Sequence, residues 1–136
     1  QLDINAWSDL KPFKVGYERG MTIIAEHSEL TLLPANSIES AILQASKGRV
    51  DVLLNDDFTT RYNLRRMGVE NLIANPTPLA PGPAFHLLNS KHQKLAEQLN
   101  EVLLEMTAND RIRQIKDEVI EDFMRKAEQE YRQEQP

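Results

Sequence analysis

Short apolar runs rich in β-branched residues alternate with helical stretches from Phe13 to Leu88. Strands that alternate with helices along a chain are typical of βαβ units around a parallel sheet. The runs predict strands at Phe13–Tyr17, Glu29–Leu33, Arg49–Leu54, Glu70–Ala74 and Ala84–Leu88. We therefore predict an α/β fold in which a mostly parallel sheet is flanked by helices.

Capping residues predict where the helices between these strands begin and end. Asn36 is expected to begin a helix, because an acidic residue three positions later can complete a capping box, and Gly48 is expected to end it. Asp56 or Asp57 is expected to cap the next helix, and Gly68 to end it. Each predicted helix therefore lies between two predicted strands.

Proline is concentrated directly after the strand predicted at Glu70–Ala74. Four of the seven prolines are Pro76, Pro78, Pro81 and Pro83. This spacing excludes a helix and favours extended backbone, so we interpret the segment as a crossing or hinge. Apolar residues at spacings of three and four then predict amphipathic helices over 92–106 and 109–131. The polar tail over 129–136 is expected to fray.

Composition and motifs count against several classes of function. The sequence has no cysteine, which excludes disulfides, thiolate metal sites and cysteine nucleophiles. The net charge of -5 argues against nucleic acid as a partner, because binding a phosphate backbone requires a dense cationic surface. His27, His86 and His92 lack the spacing of a metal site, and the sequence has no phosphate-binding loop and no GxSxG motif. We therefore expect a protein that is not an enzyme and has no cofactor.

Two loops at the carboxyl ends of predicted strands are candidate ligand sites, because open α/β sheets bind their ligands there. In the first loop, Gly20 permits close approach to the backbone, and the free N–H groups of Met21 and Thr22 at a helix start can hold an anion. In the second loop, Asp56 and Asp57 can bind an ammonium or guanidinium group. The alternatives are an ordinary turn at the glycine and capping of the following helix by the carboxylates.

The ordered segments WSDL, KVGYERG, SIESAILQASKGRVDVLLNDD and PGPAFHLLNSKHQKLAEQLNEVLLEM resemble the second half of the bacterial extracellular solute-binding proteins, of the polar amino-acid binding type. The resemblance covers nearly the whole chain. In that family two α/β lobes close on a ligand, and the chain crosses between them twice. The resemblance implies an entry segment at 1–12, a ligand-binding lobe at 13–80, a return crossing at 81–88 and a C-terminal helical segment at 89–136.

The resemblance also implies roles for residues of the two loops. Gly20 corresponds to the family's glycine beside the ligand carboxylate, and Asp56 to the acidic residue that pairs with the ligand's α-amino group. Met21 stands where the family usually has a hydroxyl residue, and Thr22 follows one position later. The implied function is that of a periplasmic binding component of an ABC-type transporter. Its partners would be a small polar ligand, such as an amino acid, and a membrane transporter or signalling protein.

Two other functions share this fold type: the extracytoplasmic sensor domain of a membrane signalling protein, and the effector domain of a LysR-type transcription regulator. In the family, the two C-terminal helices would pack on a first lobe that is not in this sequence. Bare apolar stripes favour association. We therefore expect that the chain is part of a longer protein, or that these helices pack against their own lobe or in a homodimer.

Overall fold

The computed structural model describes residues 4–82 and 86–134, and these residues have an α/β fold. The sheet in this part of the chain consists of three strands, β1 (Lys14–Glu18), β2 (Thr31–Ala35) and β3 (Val52–Leu54). The strand order is β2-β1-β3, and both neighbouring pairs are parallel. The predicted α/β class with a parallel sheet is thereby confirmed.

Helices connect the strands and form the C-terminal part of the chain. They are α1 (Thr22–Ala25), α2 (Ile38–Ser46), α3 (Asp57–Arg66), α4 (Gln93–Ala108) and α5 (Arg111–Glu134), with 3₁₀ turns at Trp7–Leu10 and Ser90–His92. The chain divides into two compact units. One combines the described residues up to Ala80 with those from Met124 onward, and the other runs from Pro81 to Phe123.

The core of the first unit lies on both sides of β1. Val15 of this central strand is fully buried and clusters with Leu10 and Leu30. On α2, Ala41 and Ile42 are fully buried, and this helix packs across all three strands. Burial of one helix stripe against a parallel sheet is the arrangement that the alternating sequence pattern predicts.

Ser37, and not the predicted Asn36, caps α2. The backbone of Ser37 is extended, and its Oγ accepts a hydrogen bond from the Ser40 N–H at 3.3 Å. Asn36 instead uses its Oδ1 to accept a bond from Arg19 Nε at 3.3 Å. Ser and Asn are both strong capping residues, so two of them in a row leave the helix start ambiguous by one position. The predicted end is confirmed, since Gly48 follows the last turn with a φ of 66°.

The strand predicted at Glu70–Ala74 is wrong, because that segment forms no strand in the structure. Within this segment, the side chain of Ile73 is 85% exposed. Asn71 is bound to the end of α2, where its Oδ1 accepts from Ser46 Oγ and its Nδ2 donates to the Ser46 carbonyl, both at 2.9 Å. An apolar run becomes a strand only beside a partner strand, and side-chain hydrogen bonds hold this one elsewhere.

The strand predicted at Ala84–Leu88 falls partly outside the described residues, which omit Ala84 and Phe85. The described remainder, from His86 to Leu88, forms no strand. The Leu87 side chain is 94% exposed, so the apolar character of this segment does not reflect burial in the sheet. For these three residues the strand prediction is wrong.

The C-terminal end of α5 is helical and belongs to the first unit, where it contacts α3. Ala127 is fully buried, and Tyr62 of α3 donates from its hydroxyl to Glu130 Oε2 at 3.0 Å. These contacts fix the last turns of the helix. The prediction that the polar tail frays from Gln129 is therefore wrong as far as Glu134, where the helix ends.

A stacked ring pair joins the N-terminal 3₁₀ turn to the segment after α1. The rings of Trp7 and His27 have centroids 3.8 Å apart and an interplanar angle of 15°. His27 Nδ1 also lies 2.9 Å from Glu29 Oε1. This hydrogen bond is the main reason why the pKa of Glu29 lies below its ordinary value. The carboxylate therefore holds the imidazole against the indole.

Acidification should loosen this stack. A carboxyl group whose pKa is lowered by folding stabilises the native state above its ordinary pKa and loses that effect as the pH falls through the lowered value. Trp7 is the one tryptophan of the sequence, so its fluorescence reports the contact. We expect an emission change as the pH falls from 6 to 3, and Glu29→Gln should remove it. An identical profile in that variant would contradict the assignment.

Candidate ligand-binding site

The carboxyl ends of β1 and β3 meet at one edge of the sheet. Tyr17 of β1 pairs in parallel with Leu54 of β3, so the loops that follow these residues leave the sheet side by side. These loops contain Gly20 and Asp56, two candidate ligand contacts that the sequence predicts in separate segments. We call this edge, formed by residues 18–22, 35–37 and 55–57, the carboxyl edge.

The glycine loop of the carboxyl edge is open to solvent. Gly20 has a φ of 105°, which L side chains rarely adopt, and a Cβ placed there would meet nothing within 4 Å. Met21 donates from its backbone N–H to the Glu18 carbonyl at 3.3 Å, and Thr22 begins the single turn of α1 with an exposed side chain. The loop is thus an ordinary hydrogen-bonded turn with free space beside its glycine.

Asp56 caps α3. Its Oδ1 accepts a hydrogen bond from the Thr59 N–H at 2.8 Å, and its backbone is extended. A carboxylate has two oxygens and about four acceptor positions, so capping leaves the exposed Asp56 able to accept from a ligand as well. Asp57 is engaged differently, because its Oδ1 accepts from Arg61 Nε at 2.6 Å in an exposed ion pair. Such pairs contribute little to stability.

Asn55 contributes a further polar group to the carboxyl edge. Its Nδ2 is buried and has no hydrogen-bond partner among the residues that the structure describes. Buried polar atoms are nearly always paired, so an orphaned one requires an explanation. It lies directly after β3 and directly before Asp56, at the point where the sequence analysis placed a ligand.

Arg19 is a residue of the carboxyl edge that is not among the candidates predicted from the sequence. Its backbone N–H donates to the Ala35 carbonyl at 2.8 Å, and its Nε donates to Asn36 Oδ1 at 3.3 Å. These bonds fix the arginine to the end of β2. Its position directly before the loop glycine was the one available signal, and it does not by itself distinguish a ligand contact from an ordinary surface arginine.

The described residues contain neither a cluster of metal ligands nor a helix suited to crossing a membrane. Residues 4–82 and 86–134 contain no group of three or more His, Asp or Glu side chains that could hold a metal ion. Within the same ranges, no helix has the length and apolar character required to cross a membrane.

Comparisons with known proteins found no match for this chain. No family model matches it, and neither a curated protein nor a solved structure does.

Proposed function

We propose that this chain binds a small polar solute at its carboxyl edge, as the second lobe and C-terminal segment of a periplasmic solute-binding protein of an ABC-type transporter. The observation that carries the proposal is the pairing of Tyr17 with Leu54, which brings the loops of Gly20 and Asp56 to one edge. Ligands of open parallel sheets bind at this edge. The sequence resemblance assigns ligand contacts to the same two loops.

The capping bond prepares Asp56 for this role. The Thr59 N–H holds the carboxylate in one orientation before any solute arrives. Binding then costs less conformational entropy than it would with a freely rotating side chain. An ammonium group on the solute would bind the oxygen positions that the cap leaves open, and the space beside Gly20 would admit the rest of the molecule.

The C-terminal helices support the part of the proposal that concerns a first lobe. In the second compact unit, large apolar side chains of α4 and of the first half of α5 are exposed. They are Leu95, Val102, Leu104, Ile112, Val119 and Phe123. Exposed apolar patches mark interaction sites in soluble proteins. In the proposed function, the face of α4 with Leu95 and Val102 and the face of α5 with Ile112 and Val119 pack on the first lobe.

A thermal-shift screen of the chain with L-amino acids, polyamines and small carboxylic acids tests the proposed function. A solute at one hundred times its Kd stabilises the folded state by about 2.7 kcal/mol, which raises Tm by several degrees. Asp56→Asn should weaken binding of the active solute at least about tenfold, a loss of roughly 1.4 kcal/mol. Asparagine caps helices as well as aspartate does, so this variant should keep its fold.

Asp51→Asn is the matched control. Asp51 precedes β3 at the opposite edge of the sheet, where its Oδ2 accepts from the Lys14 N–H at 2.8 Å. The variant makes the same change of charge as Asp56→Asn and should leave binding unaltered. Equal binding by the unaltered protein and Asp56→Asn, or equal losses in both variants, would contradict a solute site at Asp56.

A further inference from the structure

Two residues that favour helix N-caps stand in a row before α3. Asp56 is the N-cap in the structure, and Asn55 precedes it with an amide Nδ2 that is buried and has no hydrogen-bond partner among the described residues. An unmet buried donor costs free energy, and asparagine caps helices about as well as aspartate does. A second capping residue is therefore present, and its amide is unsatisfied where it lies.

The backbone of Asp56 already has one of the two dihedral angles of a helix. Its φ of -67° lies in the helical range, and only its ψ of 146° is extended. Rotation of ψ into the helical range would extend α3 by one residue. Asn55 belongs to neither β3 nor α3, so it can take up the change in direction.

The hydrogen bonds of the extended helix can be traced group by group. The bond from the Thr60 N–H to the Asp56 carbonyl, at 3.2 Å, would remain as an ordinary bond of the helix. The Thr59 N–H would exchange the Asp56 carboxylate for the Asn55 carbonyl, four residues earlier. As the new N-cap, Asn55 would accept at Oδ1 from the Phe58 N–H. The exchange thus leaves the Asp56 carboxylate free of the helix.

The start of α2 has a similar pair of residues, but there the preceding asparagine is already engaged. Ser37 is the N-cap, and the Oδ1 of Asn36 accepts from Arg19 Nε at 3.3 Å. Asn36 is therefore held away from the cap position. Within residues 4–82 and 86–134, no such bond holds the amide nitrogen of Asn55.

We propose that Asn55 is a reserve cap of α3, which replaces Asp56 when a solute occupies both oxygens of that carboxylate. This inference rests on the proposed function and makes Asn55 a positioning residue of the same site. While the Thr59 N–H holds Oδ1, an ammonium group binds at the positions left open. A guanidinium group donates two parallel bonds and competes for Oδ1, so its binding favours the exchange. The reserve cap thus extends the site to guanidinium solutes.

Urea unfolding of the unaltered chain, two single variants and their double variant tests the exchange without a solute. Asn55→Ala should leave the urea midpoint unchanged or raise it, because the unmet donor is removed. Asp56→Ala should lower the midpoint by less than about 0.2 M, since Asn55 takes over the cap. The double variant should lower it by at least about 0.5 M, as expected for the loss of a helix cap.

Ser37→Ala is the matched control, because Arg19 holds Asn36 and prevents it from replacing the lost cap. This single variant should lower the urea midpoint by at least about 0.5 M. Asn55→Ser combined with Asp56→Ala should behave like Asp56→Ala alone, because serine also caps helices. A role of Asn55 in packing alone would not produce this rescue.

Methylguanidinium and methylammonium test the link to the solute, because the first donates two parallel bonds to a carboxylate and the second is a point charge. In NMR titrations of the ¹⁵N-labelled chain, methylguanidinium should shift the side-chain amide of Asn55 and the backbone amide of Phe58. Methylammonium should leave both signals unchanged. In Asn55→Ala, the response of Phe58 to methylguanidinium should disappear.

Several results would overturn the reserve cap. An equal loss in Asp56→Ala and in the double variant would do so, as would a failed rescue by serine or a midpoint lowered by about 0.5 M in Asn55→Ala. Responses of Phe58 to both probes or to neither would overturn its link to the solute. The thermal-shift screen decides the proposed function separately, since that function needs only the carboxylate positions that the cap leaves open.

Discussion

Replacing Ile42 with alanine should lower the free energy of unfolding by about 2–5 kcal/mol. Ile42 is fully buried on the face of α2 that packs across the three strands. Truncation removes buried methyl and methylene groups and leaves a cavity that a close-packed core fills only in part. Urea unfolding followed by circular dichroism measures the loss.

Leu43→Ala is the control for this prediction. Leu43 is the next residue of the same helix, and its side chain is 42% exposed. The same kind of truncation should therefore cost less than about 1 kcal/mol, because much of the side chain already contacts water. Equal losses in the two variants would show that α2 does not pack on the sheet through the face containing Ile42.

Gly68→Ala should lower the free energy of unfolding by about 2–5 kcal/mol, more than the same change at Gly48. Both glycines follow the last turn of a helix with a positive φ, 64° at Gly68 and 66° at Gly48. An alanine in this conformation costs roughly 1–2 kcal/mol at either position. At Gly68 the new Cβ would also overlap the ring of Tyr131 on α5, with Cζ only 2.6 Å away, whereas at Gly48 it would meet nothing within 4 Å.

A double-mutant cycle separates the two causes. In a Tyr131→Ala background, Gly68→Ala should cost no more than Gly48→Ala does, because the overlapping ring is gone. Urea unfolding of the four proteins measures the coupling. An unchanged cost of Gly68→Ala in the Tyr131→Ala background would contradict the packing of α5 against the end of α3.

Local signals in the sequence were sufficient to predict the three strands of the sheet and the ends of the helices between them. Gly48 and Gly68 end helices as predicted, and the three strands of the sheet start within three residues of their predicted positions and end within two. Each of these elements has both an apolar run and a capping or turn residue beside it. Where an apolar run and a capping or turn residue agree, the local preference is strong, and contacts distant in sequence do not change the structure.

The predictions failed where the outcome depended on contacts distant in sequence. The run at Glu70–Ala74 has strand composition but finds no partner strand, and the tail after Gln129 is polar but is held by α3. The two loops of the candidate site were predicted from the sequence, but only the register of β1 and β3 shows that they are neighbours. The bond from Arg19 to Asn36 also joins residues distant in sequence, so the sequence alone did not show it.

Amide chemical-shift mapping of the ¹⁵N-labelled chain tests the solute site most directly. The titrant is the solute that gives the largest thermal shift in the screen. We predict that the largest changes fall on the amides of Gly20, Met21 and Asp56, with Lys14 and Asp51 at the opposite edge unchanged. Changes centred on Lys14 and Asp51, or on α4 and α5, with the carboxyl edge unaffected, would contradict the account.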